Sequence, residues 1–206
     1  MMEKKPQEDT PTFEPEGENY SLFQSFKYYV WEIIKVVVVS LAIIIPVRYY
    51  LIQPFYVKGA SMEPSFHDHE YLIIDEISYR FDLPARGDIV VFKYPKDPSQ
   101  FFIKRVIGLP GECIKISAGK IKITAVGATE EFVLEETEYL LKGIQTQGEI
   151  DIQLKSDEFY VLGDNRGSSL DSRSFGPIHL SDIIGRTWVR GWPFDKIKVF
   201  KSPNYN

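Results

Sequence analysis

Residues 58–66 read KGASMEPSF, a loop of small and turn-forming residues with the hydroxyl of Ser61 at its centre. A serine is a weak nucleophile until a base takes its proton, and the usual base is histidine. The chain has only His67, His69 and His179. A different base is offered by FFIKRVIGLPG at 101–111, where strand alternation puts Phe102, Lys104 and Val106 on one face and Ile103, Arg105 and Ile107 on the other. Lys104 then stands among apolar neighbours. An ordinary lysine, with pKa about 10.4, is neutral in only about one molecule in a thousand near pH 7.5. Desolvation lowers a lysine by up to about 3 to 5 units, and three units cost roughly 4 kcal/mol. A serine–lysine pair is a known variant of nucleophilic catalysis without histidine. Alternation by itself leaves open the commoner arrangement, an edge lysine with its amine in water.

The elements that must hold these groups read as β. After Gln53, the runs FYVKG, EYLIIDEI, GDIVVFKY, FFIKRVIGL, CIKISAGKIKIT, EFYVLGD and RTWVRGW are short, rich in Val, Ile, Phe and Tyr, and bounded by Gly, Pro, Asp and Asn. SAGK at 117–120 reads as a hairpin turn between alternating strands, and residues 113–156 carry no concentrated chemistry, which marks them as an inserted β subdomain. Gly108, Pro110 and Gly111 end the lysine strand sharply. A short helix is expected at Leu180–Ile184 with Ser181 as its cap.

Ahead of the β region, residues 33–52 read IIKVVVVSLAIIIPVRYYLI, twenty residues that as a helix would span about 30 Å, the thickness of a hydrocarbon core. Lys35 and Arg48 lie near its ends, and Trp31, Tyr49 and Tyr50 suit interfacial belts. Arg48, Tyr49 and Tyr50 stand where a removable signal peptide needs small residues, so the segment reads as an uncleaved anchor. Lys27 and Lys35 against Arg48 and Lys58 tilt the positive-inside balance slightly toward a cytoplasmic N-terminus.

At 206 residues with 44% hydrophobic content, the chain can bury one full core and a small appendage. Its net charge of -5 and the lack of a Lys/Arg run exclude a phosphate-backbone partner, so no nucleic acid is expected. The single Cys113 rules out an intrachain disulfide and reads as a small buried hydrophobe.

SMEPS at 61–65, RGDIVVF at 86–92, KRVIGLPGE at 104–112 and GDNRGSSLDSR at 163–173 resemble, in order and behind an N-terminal anchor, the boxes of the type I signal peptidases. The resemblance covers roughly residues 30–195 and implies a mostly β fold. A single transmembrane helix would precede an all-β signal-peptidase-like catalytic domain with a small inserted β subdomain. The expected divisions are a disordered acidic tail at 1–26, an anchor at 27–52, the catalytic β domain at 53–112 and 157–200, and the insert at 113–156.

By that resemblance, Ser61 attacks the scissile carbonyl of an exported preprotein. Neutral Lys104 would serve as general base and later as acid, and Ser169 would orient the lysine. The Ser61 N–H would donate into the oxyanion hole. Gly59 stands where some members carry a serine that completes that hole, and Ser65 stands where threonine is commoner. Arg105, Asp164, Asp171 and Arg173 would form structural ion pairs. Phe55, Val57, Met62, Val91, Phe102 and Ile103 would wall shallow pockets for small side chains, a part that ordinary core residues fill equally well. The implied partners are signal peptides of exported preproteins and the lipid bilayer. The implied setting is the cell membrane, crossed once, with the catalytic domain on the extracytoplasmic side. No cofactor is implied.

Three other readings compete. FHDHE at 66–70 could ligate a metal, but it brings no third histidine or cysteine, and no metal is expected. A self-cleaving transcriptional regulator would share the serine–lysine pair but needs a DNA-binding domain, which the acidic tail and apolar segment replace. A non-enzymatic membrane-anchored β module would leave Ser61 and Lys104 without a use.

Overall fold

The computed structural model describes residues 22–50, 52–203 and 205, so most of the expected acidic tail, residues 1–21, lies outside it. The described residues divide into two units, parting between residues 44 and 45.

Helix α1, Leu22–Tyr50, starts ahead of the anchor expected from residue 27. Leu22–Phe26 contain no glycine or proline to stop a helix running back through them. Within α1, Ser25–Pro46 is long and apolar enough to cross a bilayer, and none of it is buried. Lys35 is paired along the helix with Glu32 at 2.6 Å.

The strands are β1 (Ile52–Tyr56), β2 (Tyr71–Asp75), β3 (Ile89–Tyr94), β4 (Asp97–Gly108), β5 (Cys113–Ser117), β6 (Lys120–Thr124), β7 (Glu131–Val133), β8 (Ile150–Gln153), β9 (Glu158–Leu162), β10 (Ile178–His179), β11 (Ile183–Trp192) and β12 (Lys198–Val199). The one-turn helix α2, Ser172–Phe175, lies between β9 and β10. The larger sheet has the order β1-β2-β11-β3-β4-β9-β10, with β12 on β11, and the smaller has the order β7-β6-β5-β8. Every described pairing is antiparallel.

The unbroken apolar runs of β3 and β9 follow from burial on both faces of the larger sheet. Val90 and Phe92 join Val106, Phe159, Val161 and Ile178 in one core, while Ile89 and Val91 join Val57, Met62, Phe66, Leu72 and Ile74 in another. A third core ties Ile107, Tyr160 and Leu162 to Ile114, Ile116, Ile121 and Ile123 of the smaller sheet. On β4 the alternation read from sequence sends Phe102 and Val106 to one core and Ile103 to its opposite.

The SAGK turn joins β5 to β6 with Ser117 opposite Lys120. Ala118 and Gly119 have φ of 49° and 77°, the left-handed pair that matches the twist of a two-residue hairpin. The helix expected at Leu180–Ile184 is instead a single 3₁₀ turn, Leu180–Asp182, and His179 rather than Ser181 holds the capping position. Asp182 accepts from the His179 N–H at 3.2 Å, and Ile183 already belongs to β11, so the sheet ends the turn.

Candidate active site

Ser61 lies in the turn after β1, half-buried, on a loop pinned at both flanks. The Gly59 N–H donates to Asp68 Oδ1 at 2.9 Å, the Asn165 N–H to Ser61 O at 3.1 Å and Asn165 Nδ2 to Ala60 O at 3.0 Å. Met62, 1% exposed, and Phe66 root the loop in the core beside Val57. Gly59 has φ +85° and open space where a Cβ would stand, so its backbone conformation, more than crowding, suits glycine there.

Lys104 projects from β4, opposite Val90 of β3, and is 4% exposed. Nζ donates to Ser61 Oγ at 2.8 Å and to Ile103 O at 2.8 Å, and the Phe102 ring centre lies 5.3 Å away. Burial pushes the lysine down to about 8, against the opposing pulls of Asp171 and Asp164.

Each of those two carboxylates is held by an arginine. Arg105 donates to Asp164 through Nε at 2.8 Å and Nη2 at 2.7 Å, with both side chains buried. Burial would lower the guanidinium, but the bonds and charge of Asp164 outweigh it and raise it. Asp171 caps α2 and accepts from Arg173 Nε at 2.9 Å and Nη2 at 2.8 Å and from the Gly163 N–H at 3.1 Å. Burial alone would raise Asp171, but these bonds and the Arg173 charge hold it below the ordinary carboxylate range.

Ser169 is brought next to this cluster but makes no hydrogen bond to Lys104. Its buried Oγ has no partner at full hydrogen-bond geometry, its weaker attraction being to Asp171. A Cβ on Gly163 would fall 2.1 Å from Ser169 Oγ and 2.5 Å from Ser61 O, so only glycine lets these two loops approach so closely.

A groove of about 540 Å³ opens on Ser61 and Lys104. Phe55, Val57, Val91, Phe102 and Ile103, all singled out from sequence, line it. Met62 does not; it is wholly in the core, anchoring the loop that carries the serine. Leu72, Phe101 and Leu170 also line the groove and were not anticipated. Leu170 carried a readable signal, an apolar residue inside the polar turn between Ser169 and Asp171, and it is 48% exposed at the groove.

Within FHDHE, His69 Nδ1 lies 2.9 Å from Asp68 Oδ2, whose other oxygen holds the Gly59 N–H, while Glu70 pairs with Arg190 at 2.9 Å and exposed His67 lies 3.4 Å from Glu63. Among the described residues no three metal-ligating side chains come together.

Residues 30–192 match the family model described as signal peptidase, peptidase S26. The chain is 36% identical over 178 residues to signal peptidase I of Leptolyngbya laminosa, which covers 82% of this chain and 83% of that one. It is 32% identical over 167 residues to signal peptidase I U of Bacillus subtilis, with 80% and 89% covered. It is 35% identical over 155 residues to signal peptidase I V of the same organism, with 72% and 90% covered. Every strand from β1 to β11, and with them the serine, the lysine and the loop of paired charges, falls inside the matched span, and the chain belongs to the signal peptidase family, peptidase S26, a family of serine endopeptidases.

Proposed function

We propose that this protein is a membrane-anchored signal peptidase that removes N-terminal signal peptides from exported preproteins, with Ser61 as nucleophile and Lys104 as its base. The observation that carries this reading is the 2.8 Å approach of Lys104 Nζ to Ser61 Oγ at a position that denies the amine water. With a pKa of about 8, about a quarter of the amines are neutral at pH 7.5, against about one in a thousand for an ordinary lysine.

The neutral amine keeps one N–H on Ile103 O and offers its lone pair to the Ser61 O–H. Ser61 Oγ attacks the scissile carbonyl as its proton passes to Nζ, and the Ser61 N–H donates to the oxyanion that forms. Collapse breaks the C–N bond, and Lys104 returns the proton to the leaving amine. Lys104 then deprotonates the water that hydrolyses the acyl-enzyme. Ser169 stands beside this pair with a buried hydroxyl that has no full hydrogen bond, and orienting the lysine is the role we assign to it. The Arg105–Asp164 and Arg173–Asp171 pairs keep the surrounding loop in place.

The substrate lies extended in the groove, its small side chains before the scissile bond entering apolar pockets walled by Phe55, Val57, Val91, Phe102 and Ile103. The apolar stretch of α1 crosses the bilayer once and leaves the β domain on the extracytoplasmic side, where the cleavage sites of preproteins emerge. Confinement of enzyme and substrate to one membrane raises their encounter rate.

The test is cleavage of an exported preprotein by the detergent-solubilised chain. Ser61→Ala, Lys104→Ala and Lys104→Arg should each abolish cleavage while leaving the fold intact, since a guanidinium does not deprotonate. Substantial turnover by Lys104→Ala would refute the dyad. Protease protection on intact vesicles tests the sidedness, and protection of the β domain from a protease on the extracytoplasmic side contradicts it.

A further inference from the structure

Arg105 follows the proposed base on β4, and four partners hold its guanidinium. Asp164 takes Nε and Nη2, Gly87 O accepts from Nη1 at 2.9 Å, Ser65 Oγ accepts from Nη2 at 3.3 Å, and the Tyr139 ring centre lies 3.8 Å from Cζ. Residues near the C-terminal end of the described chain reach two of these four partners. Pro203 and Tyr205 approach Gly87 so closely that a Cβ there would stand 2.4 Å from Pro203 Cδ and 2.9 Å from Tyr205 Cε2. Ser202 Oγ donates to Asp88 Oδ1, and the other oxygen of that carboxylate accepts from Tyr79 OH at 2.8 Å and from the Ala85 N–H at 2.9 Å.

Tyr205 also begins a hydrogen-bonded chain that ends at the loop of paired charges. Its OH donates to Tyr139 OH at 3.2 Å, and Tyr139 OH donates to Glu136 Oε1 at 2.6 Å. Glu136 accepts from Arg166 Nη1 at 2.7 Å and Nη2 at 2.5 Å, and Arg166 Nε donates to Gly163 O at 3.0 Å. One route from Tyr205 thus reaches Arg105, and the other reaches the turn that carries Asp164 and Ser169.

We propose that Ser202, Pro203 and Tyr205 act as a strap that fixes the Arg105–Asp164 pair and the Gly163–Ser169 loop through Tyr139, which makes Tyr205 and Tyr139 positioning residues for the peptidase reaction. The proposal rests on the Ser61–Lys104 reading above. The groups that bear on the amine are Ser61 from the loop after β1, and Asp164 and Asp171 from the loop after β9, themselves covered by Arg105 and Arg173, while Lys58 lines the same groove. Across the sheet, Ile89–Phe92 of β3 presents only apolar residues. Loosening the strap admits water beside Arg105 and lets Asp164 part from its guanidinium. Both changes favour the ammonium, so the amine should titrate at higher pH. Each unit of rise removes about nine-tenths of the neutral amine at pH 7, a roughly tenfold loss of rate.

The experiment follows preprotein cleavage by the full chain from about pH 6 to about pH 10 for wild type, Tyr205→Ala, Tyr205→Phe and Tyr139→Phe. In parallel, NMR of lysine-labelled protein follows the Lys104 amine, identified by the signal missing from Lys104→Ala. Tyr205→Ala should lower kcat about tenfold at pH 7 with KM nearly unchanged, recover toward high pH, and move the amine titration upward. Tyr205→Phe, which keeps the ring against Gly87 but cuts its hydroxyl link to Tyr139, should shift rate and amine titration in the same direction by less than Tyr205→Ala. Should Tyr205→Ala fail to fold, Tyr139→Phe carries the same test, since it keeps the ring on Arg105 while cutting both hydroxyl links. A lower melting temperature with the pH profile and the amine titration of wild type would reduce the strap to a structural clamp and overturn the proposal, as would no change at all. Failure of the dyad itself would show separately, as turnover by Lys104→Ala.

Discussion

Lys104 and Arg105 are adjacent on β4 and 4% and 3% exposed, yet only Arg105 is given a carboxylate. Successive strand residues face opposite ways, so one cation meets Asp164 and keeps its charge while the other meets a serine hydroxyl, a carbonyl and an aromatic ring. A buried charge persists where it is paired and retreats where it is not. The same strand therefore carries a permanent cation and the amine proposed as the proton acceptor.

The first expectation concerns rate against pH. With Lys104 as the proposed base, the active form is the neutral amine, whose fraction grows as pH rises through about 8, so kcat/KM should climb about tenfold per unit below that value and level off above it. A profile flat from about pH 6 upward, or one still climbing at about pH 10, contradicts the assignment.

A second concerns stability. The folded lysine titrates near 8 rather than its ordinary 10.5, so between those values the unfolded chain holds more protons than the folded one and stability rises with pH. Below that window the buried ammonium costs its full amount, about 3 kcal/mol. Lys104→Met should therefore be more stable than wild type at neutral pH, by up to about that amount, with the difference shrinking toward about pH 10. Urea unfolding at the two pH values measures it, and an unchanged difference would count against burial as the cause.

Asp164→Asn leaves the Arg105 guanidinium buried without its counter-charge. Removing one partner of a buried pair costs about 3 to 5 kcal/mol. The midpoint of urea unfolding should fall accordingly, and a loss below about 1 kcal/mol, the scale of an exposed pair, would show that water already reaches this one.

Gly163→Ala places a methyl group where Ser169 Oγ and Ser61 O already stand. Overpacking of this kind costs about 1 to 3 kcal/mol. Its sharper effect should be on turnover, since displacing the proposed nucleophile by about 1 Å should lower the rate about a hundredfold. Cleavage within about twofold of wild type would show that the two loops separate without consequence.

Strand content, the inserted hairpin and the apolar helix were legible because each is a local pattern. Valine-rich runs, a two-residue turn with glycine and an unbroken bilayer-length segment need no distant partner to be read. The opposite facing of Lys104 and Arg105 was legible for the same reason, being a consequence of period two. The reach of the apolar helix back to Leu22 and the collapse of the expected helix near Ser181 into a single turn were not, because element ends depend on what the neighbouring segments do.

The sequence by itself determined which residue types were present to do chemistry, and on which face of its strand the lysine would lie. Only the tertiary structure decided that the lysine is enclosed, that its amine meets Ser61, that Met62 serves the core, and that Glu70 belongs to Arg190. The same holds for Tyr205, whose contacts with Gly87 and Tyr139 join segments far apart along the chain. The physical reason is that alternation is a property of neighbouring peptide units, whereas desolvation and charge pairing depend on atoms brought together from distant segments once the sheets close over a common core.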